Sequence, residues 1–173
     1  EGLHNRHMVG LTTWHTFLTR TGLTLHGRTV LVVGFGDVGA GVSESARAYG
    51  GHVIVSERDR ARRIRAAYAG WEVAELGDAA ERADVIVTAT GAAGVITSGI
   101  IDRLKDGCFL MNVGHRPDEI DVGYLRGRGT REIIPFVEEV DLGGRRVYLL
   151  AGGSMVNLTA GPVTINGGTG IIA

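Results

Sequence analysis

TVLVVGFGDVGAG, residues 29–41, decides the fold. A run of β-branched and aliphatic residues is followed at once by Gly34, Gly36 and Gly39, and residues 42–49 continue as a helix-like stretch. In such a strand, turn and helix, the first glycine permits the tight turn, the second lets backbone approach a pyrophosphate, and the third lets helix and strand pack closely. Unpaired N–H groups at the helix start face the anion. The stretch therefore predicts a dinucleotide-binding turn.

A second apolar run supplies the context that this turn needs. HVIVS, residues 52–56, ends in Glu57, at the place after the glycines where an acidic side chain accepts the ribose hydroxyls of an adenosine moiety. The acid favours NAD because it repels a 2′-phosphate. Arg58 follows directly, and an arginine there can accommodate such a phosphate, so NADP stays open. The alternative is a glycine-rich turn beside which Glu57 is merely solvated.

The rest of the chain alternates between apolar runs and helix-like stretches. The pattern predicts helices over residues 59–70, 78–82 and 98–104 and strands over residues 71–74, 84–88, 108–113, 132–137 and 146–150. This alternation predicts an α/β fold of the Rossmann type, a doubly wound, mostly parallel sheet flanked by helices. Ligands of such sheets lie beyond the carboxyl ends of the strands, so we expect residues 88–91 and 112–115 to join Gly34 and Glu57 at one site.

The segment before the glycine turn is predicted to be helical. Apolar residues recur at spacings of three and four over residues 8–25, and Gly22 is expected to end the helix. We expect a single domain composed of an N-terminal helix (1–25), a dinucleotide-binding core (28–157) and a C-terminal segment (158–173). The apolar residues 162–173 are expected to pack on a neighbour or to become ordered in an oligomer.

Composition limits the possible partners. The formal net charge of −1 leaves no broad basic surface for nucleic acid or an anionic membrane. No apolar run approaches the roughly twenty residues needed to span a bilayer. The single cysteine, Cys108, stands in an apolar run and is predicted to be buried in a strand. A chain with one cysteine cannot form an internal disulfide, which fits a reducing, cytoplasmic compartment. His4, His7 and His15 lack a cysteine or carboxylate to complete a ligand set, so no metal site is predicted.

Motifs along the chain resemble the NAD-binding domain of S-adenosylhomocysteine hydrolase. GFGDVGAG, VIVSERD, TATG, NVGHRPDEID and LLAGGSMVNL stand in the order and at the separations of the family's GYGDVGKG, VIVTEID, TTTG, NIGHFDxEID and LLAEGRLVNL. The resemblance runs from Asn5 to Asn157. It is more specific than the glycine turn, because other dehydrogenases share that turn but not NxGHxxxEID.

The resemblance implies a mechanism in which tightly bound NAD acts catalytically. The substrate's 3′-hydroxyl is oxidised, the acidified C4′ proton is removed, homocysteine is eliminated, water adds and the ketone is reduced, so no net redox occurs. The protein's share is to aim the nicotinamide at the ribose of an adenosine-type substrate and to exclude water. The family's dimers of dimers imply a homodimer or larger homo-oligomer.

Carried over by position, the resemblance also implies roles for residues. Those expected at the pyrophosphate and the adenosine ribose are Gly34, Gly36, Asp37, Val38, Gly39 and Glu57. Thr88 and Thr90 would line the cofactor groove, although hydroxyls that merely cap a turn are the alternative.

The remaining positions belong to the nicotinamide end. Asn112, Gly114 and His115 would approach the nicotinamide and the substrate's ribose, and Asn157 would bond the carboxamide. Asn5 matches an asparagine near the reacting sugar. Asn5 and His115 are therefore the candidate catalytic residues, with a structural loop role as the alternative for His115.

Several positions depart from the family pattern. His4 stands where the family has an aspartate, Val9 where it has a cysteine and Ala40 where it has a lysine. Residues 158–162 lack the family's glycine-histidine-proline segment, and residues 1–173 do not include the family's large substrate domain or C-terminal tail. We therefore expect this chain alone not to hydrolyse adenosylhomocysteine.

Three interpretations follow from these matches and departures. The chain is the excised cofactor domain of a hydrolase-like protein, or a divergent, stand-alone or partner-dependent NAD redox protein in which His4, His7 and His115 transfer protons. The third is a non-catalytic module that binds NAD or an adenosine ligand.

Overall fold

The computed structural model describes residues 7–160 of the chain. Its elements are α1 (Val9–Thr21), β1 (Thr29–Val33), α2 (Asp37–Ala48), β2 (His52–Ser56), α3 (Arg60–Tyr68), β3 (Glu72–Val73), α4 (Leu76–Arg82), β4 (Val85–Thr88), α5 (Ser98–Ile101), β5 (Cys108–Asn112), α6 (Val122–Gly127), β6 (Thr130–Ile134), β7 (Val137–Asp141), β8 (Arg146–Leu150) and α7 (Val156–Thr159). The strands form one sheet in the order β3-β2-β1-β4-β5-β8-β7-β6. The predicted Rossmann-type fold is confirmed.

The centre of the sheet is parallel and buried on both faces. β1 pairs in parallel with β2 and β4, so that Val30 lies between Val53 and Val85. β5 and β8 continue the parallel part. β-branched side chains pack well on such a pleated surface, which is why these strands read as continuous apolar runs.

Helices cover both faces of the sheet. Successive residues of β1 alternate between the two faces. Val30 and Val32 join the core beneath α1, α2, α3 and α7, whereas Leu31 and Val33 join the core beneath α4, α5 and α6. The two cores hold the strands in place, and the carboxyl ends of β1 and β4 meet where the chain reverses its direction of winding.

α1 packs closely against α2. Trp14 is fully buried and its Nε1 donates a hydrogen bond to the carbonyl oxygen of Val42 at 2.9 Å. A β-carbon on Gly10 would collide with the backbone of Gly41, so glycine permits this close crossing. The helix ends at Gly22, whose φ is 68°, as the sequence predicts.

The sheet ends in an antiparallel meander that the sequence analysis did not predict. The prediction of one strand over residues 132–137 is wrong, because β6 ends at Ile134 and β7 begins at Val137. The two strands pair antiparallel around a turn at Pro135 and Phe136. Phe136 has a φ of 68°, so a non-glycine residue makes the left-handed turn. The prediction overlooked Pro135, which cannot donate to the strand ladder and is the one turn signal in the run from Ile133 to Val137.

Other predictions differ in smaller ways. α5 ends at Ile101, short of the helix predicted over residues 98–104, and α6 was not predicted. Cys108 is buried in β5, as predicted, and burial raises the pKa of its thiol to about 12. Residues 162–173 lie outside the described residues.

Two further observations hold for residues 7–160 alone. No helix there is long and apolar enough to cross a membrane. Within the same residues, no group of three or more histidine, cysteine, aspartate or glutamate side chains is arranged so that it could hold a metal ion.

Candidate functional site

A cavity of about 680 Å³ opens beyond the carboxyl ends of β1 and β4. Its wall consists of the glycine turn after β1, the connection from β2 into α3, and the loop after β4. The residues predicted at the cofactor that line this wall are Gly34, Gly36, Asp37, Val38, Glu57 and Thr90. Open α/β sheets bind their ligands at this position, and the volume suits a small organic ligand.

The three glycines of the turn do different things. Gly34 has a φ of 97° and packs under the backbone of Ala89, so it makes the sharp turn. A β-carbon on Gly39 would collide with the carbonyl oxygen of Gly34, so this glycine permits close packing of α2. At Gly36 a β-carbon would meet nothing within 4 Å, although this residue lines the cavity. Only Gly36 therefore leaves space that the chain itself does not need.

Glu57 ties the end of β2 to the glycine turn. Its Oε2 accepts a hydrogen bond from the Phe35 N–H at 2.7 Å, and its Oε1 accepts one from the Asp59 N–H at 2.8 Å. A carboxylate offers about four acceptor sites. Glu57 can therefore keep both bonds and still accept ribose hydroxyls.

Three arginines line the same end of the cavity. Arg63 forms an ion pair with Glu75, with 2.5 Å between Nη1 and Oε1. The side chains of Arg58 and Arg62 are exposed, and among the described residues they have no hydrogen-bond or ion-pair partner. Arg58 is recognisable from its position next to Glu57, whereas Arg62 is not, because only the fold turns α3 toward the cavity.

Buried polar side chains close the carboxyl ends of β4 and β5. The Oδ1 of Asn112 accepts hydrogen bonds from the Thr88 hydroxyl at 3.1 Å and the Gly114 N–H at 2.8 Å. Its Nδ2 donates to the carbonyl oxygens of Arg116 at 2.7 Å and Gly153 at 3.0 Å. All the hydrogen-bonding capacity of this amide is thus used within the chain. Thr88 and Asn112 lie beneath the site and hold its loops.

Glu119 is a site residue that sequence reasoning missed. It is fully buried, and its Oε2 accepts hydrogen bonds from the N–H of Thr90 at 3.0 Å and from the Thr90 hydroxyl at 2.7 Å. Its Oε1 accepts one from the Gly91 N–H at 2.8 Å. A buried carboxylate is costly unless it is hydrogen-bonded, and these donors satisfy it. A β-carbon on Gly114 would collide with Oε1, so the glycine makes room for the carboxylate.

His115 lies at the same edge, beside the loop after β4. The side chain is exposed, and a β-carbon on Gly91 would lie 3.6 Å from its Nε2. In the loop that follows, Arg116 donates two hydrogen bonds to Asp118, at 2.9 and 2.7 Å, and holds the pKa of that carboxyl below its usual range. His115 therefore lies next to the loop after β4, which forms part of the cavity wall.

Asn157 has an acceptor that residues 7–160 do not satisfy. The residue lies on α7 and is 5% exposed, and its Oδ1 is buried without a hydrogen-bond partner among these described residues. Buried polar atoms are nearly always paired, so this oxygen is available to a donor from a water molecule or from a ligand. An amide N–H, such as that of a nicotinamide carboxamide, is a suitable donor.

The predicted site residues thus form two groups at one edge of the sheet. The cavity wall holds the glycine turn and Glu57, and the neighbouring group holds Thr88, Asn112, Gly114, His115 and Asn157. Asn5 lies outside the described residues. Sequence spacing could not find Glu119, whose partners are 28 and 29 residues away, although it stands inside the NVGHRPDEID motif.

The sequence matches known proteins over most of its length. The profile described as "S-adenosyl-L-homocysteine hydrolase, NAD binding domain" matches residues 15–163. The adenosylhomocysteinase of Pyrobaculum aerophilum is 41% identical over 160 residues, which are 90% of this chain and 37% of that protein. The S-inosyl-L-homocysteine hydrolase of Methanopyrus kandleri is 39% identical over 163 residues, 92% of this chain and 38% of that protein. The chain therefore spans under two fifths of the length of these relatives.

Solved structures share the fold at low sequence identity. One component of the dipicolinate synthase from Bacillus halodurans superposes with a TM-score of 0.67 and 21% identity, covering 99% of this chain and 56% of that chain. D-lactate dehydrogenase from Aquifex aeolicus, complexed with NAD and lactic acid, has a TM-score of 0.60 and 20% identity, covering 69% of this chain and 43% of that chain. These likenesses show the fold alone.

Proposed function

Since the chain belongs to the S-adenosyl-L-homocysteine hydrolase family as its NAD-binding domain, with NAD as its cofactor, we propose that it forms the cofactor half of an enzyme that reversibly hydrolyses an S-nucleosyl-L-homocysteine. The chain spans 37–39% of the relatives' length, so the hydrolysis itself belongs to an assembly with a substrate-binding part. Relatives named for S-adenosyl and for S-inosyl substrates match about equally well, so the proposal includes both purine nucleosides.

The observation that carries the proposal is the unfilled space at Gly36. The glycine turn uses Gly34 and Gly39 for its own geometry, whereas Gly36, at the start of α2, leaves room in the cavity for a ligand that comes close to the backbone. A pyrophosphate needs this approach, because the N–H groups at the start of α2 can donate to it only at short range. Glu57 lines the same cavity and supplies the acceptor for the adenosine ribose.

The nicotinamide end is assigned to the second group of residues. Bound NAD would supply a reversible hydride acceptor for the 3′-carbon of the substrate's ribose. The Oδ1 of Asn157 would accept a hydrogen bond from the carboxamide and so orient the ring. Thr88, Asn112 and Glu119 would hold the surrounding loops rigid, which is what accurate positioning requires.

His115 is proposed to act on the substrate side. Its exposed imidazole stands beside Gly91, where Nε2 is free to hold or move a proton of the substrate's ribose hydroxyl. Asn5 is proposed as its partner at the reacting sugar on the family resemblance alone.

Native mass spectrometry of the purified chain tests the cofactor assignment. We expect about one NAD per chain, identified after denaturation, or its uptake on addition of NAD. Gly36→Val is expected to weaken NAD binding by at least about 100-fold, because the branched side chain fills the space of the pyrophosphate, while the poorer N-cap lowers the melting temperature by only about 2–4 °C. Wild-type affinity in this variant would contradict the placement.

A second assay tests whether hydrolysis requires a substrate-binding part in addition to this chain. The chain, loaded with NAD, is incubated with S-adenosyl-L-homocysteine and with S-inosyl-L-homocysteine, and released homocysteine thiol is measured. We expect no release from this chain alone. Steady thiol release would show that the chain needs no further substrate-binding part.

A further inference from the structure

We propose that Arg58 and Arg62 form a subsite for a phosphate on the 2′-oxygen of the adenosine ribose, so that this domain binds NADP as well as NAD. The inference rests on the proposed function, because it assumes that the adenosine moiety lies beside Glu57. It extends that function to a second ligand, a dinucleotide with a phosphate monoester on its ribose.

The first observation is that these two guanidinium groups are unused. Both line the cavity, and neither has a side-chain partner among the described residues. Neighbouring arginines are engaged: Arg63 pairs with Glu75, and the Nη2 of Arg65 donates to the carbonyl oxygen of Phe35 at 3.0 Å. Of the three arginines that line the cavity, Arg58 and Arg62 are thus the two whose guanidinium groups are available to a ligand.

The second observation is how the backbone places them. Arg58 directly follows Glu57, at the end of β2. Arg62 lies in the first turn of α3, whose start is fixed by a hydrogen bond from the Arg62 N–H to the Oδ1 of Asp59 at 2.9 Å. The two side chains therefore reach the adenosine end of the cavity from separate, ordered backbone positions.

The local charge balance favours an additional anion. Arg63 and Glu75 neutralise each other, and Asp37 stands at the start of α2, on the pyrophosphate side. Residues 57–65 carry five arginines against the carboxylates of Glu57 and Asp59, so an excess of positive charge remains at the adenosine end after Arg63 has paired with Glu75. The carboxylate of Glu57 also accepts two backbone N–H groups, whose dipoles partly offset its repulsion of a phosphate.

The chemistry of the ligand matches this arrangement. A phosphate monoester carries a charge of about −1.5 to −2 at neutral pH and offers three acceptor oxygens. Arginine presents a planar set of donors that bonds two of them at once. NAD has only a hydroxyl at this position, so it leaves both guanidinium groups unpaired.

Isothermal titration calorimetry with NAD and NADP tests the proposal on the wild-type chain and on Arg58→Ala, Arg62→Ala and Arg60→Ala. Arg60 lies on the same turn of α3 but does not line the cavity, which makes it the matched control. We expect the wild-type chain to bind both dinucleotides. Arg58→Ala and Arg62→Ala should each weaken NADP binding by about 10-fold or more and NAD binding by less than about 3-fold, whereas Arg60→Ala should change neither.

The outcomes separate this inference from the function on which it rests. If the wild-type chain binds NAD but not NADP, the phosphate subsite is wrong and the proposed function stands. If Arg58→Ala and Arg62→Ala weaken NAD and NADP equally, the arginines contact the adenine and the subsite is again wrong. If neither dinucleotide binds, both the cofactor placement and the subsite fail.

Discussion

The two halves of the carboxyl edge solve different problems. Beside β1 and β2 the edge is open: a cavity of about 680 Å³ is lined by Glu57 and by arginines that have no partner among the described residues. Beside β4, β5 and β8 the edge is closed by three fully buried side chains, Thr88, Asn112 and Glu119. Thr88 donates a hydrogen bond to Asn112, Asn112 donates one to the carbonyl oxygen of Gly153, and Glu119 accepts one from the Thr90 N–H. The open half leaves the guanidinium groups of Arg58 and Arg62 and the remaining acceptor sites of Glu57 available to a ligand, whereas Asn112 and Glu119 in the closed half are bonded within the chain.

This difference matches the two ends of a dinucleotide. The adenosine end takes no part in the chemistry, and it is recognised by side chains that are available to form hydrogen bonds or ion pairs with it. The nicotinamide end does the chemistry, and it must be held at a fixed distance from a substrate, which needs loops that do not move. Substitutions in the closed half should therefore reduce stability, and substitutions in the open half should mainly change affinity.

The largest effect is expected from a single methyl group in the closed half. Gly114→Ala would drive a β-carbon into the Oε1 of Glu119 and displace the carboxylate from the loop after β4. We expect a loss of about 3 kcal/mol in the free energy of unfolding, measured by urea denaturation. Gly36→Ala is the matched control in the open half: its β-carbon meets nothing within 4 Å, and it should lose no more than about 1 kcal/mol, because alanine is a poorer N-cap of α2 than glycine. Equal losses in the two variants would abolish the distinction between the halves.

A somewhat smaller effect is expected when Glu119 keeps its shape but loses its charge. Glu119→Gln turns one acceptor oxygen into a donor that faces the N–H groups of Thr90 or Gly91. We expect the free energy of unfolding to fall by about 2 kcal/mol and NAD affinity to fall with it, because Thr90 lines the cavity. Glu132→Gln, on the exposed strand β6, is the control and should change neither quantity. Unchanged stability in Glu119→Gln would show that the carboxylate is not needed to hold the loop.

The smallest effect belongs to the open half. Glu57→Ala removes the acceptor for the ribose hydroxyls, so NAD affinity should fall about 10-fold, as measured by calorimetry. NADP affinity should fall less, because the same substitution removes the negative charge next to the 2′-phosphate. Glu57→Gln keeps an acceptor and should lie between wild type and Glu57→Ala for NAD. An equal loss for both dinucleotides would mean that Glu57 does not contact the ribose.

Local sequence signals were sufficient for the glycine turn and Glu57 in the open half. The apolar run, the three glycines and Glu57 follow one another within residues 29–57, so the turn and its acid are set by neighbours along the chain. The same holds for the buried parallel strands, whose β-branched runs stand out from their surroundings. Beyond these strands the antiparallel end was mispredicted, because the turn signal of Pro135 was overlooked and Phe136 adopts a left-handed φ without glycine.

The closed half shows what local signals cannot provide. Glu119 accepts hydrogen bonds from Thr90 and Gly91, and Asn112 donates one to Gly153, which is far away in sequence. The close approach of Gly114 to Glu119 exists only after β4 and β5 have paired. Nor did any local signal select Arg62 among the arginines of α3.

The sequence by itself determined the Rossmann-type sheet, the family and the dinucleotide turn, because strand propensity, glycine conformation and the position of an acid after β2 are properties of short segments. Only the tertiary structure decided which polar side chains remain free and which are used within the chain. That division depends on contacts between loops far apart in sequence, where a buried carboxylate or amide is stable only with its partners in place.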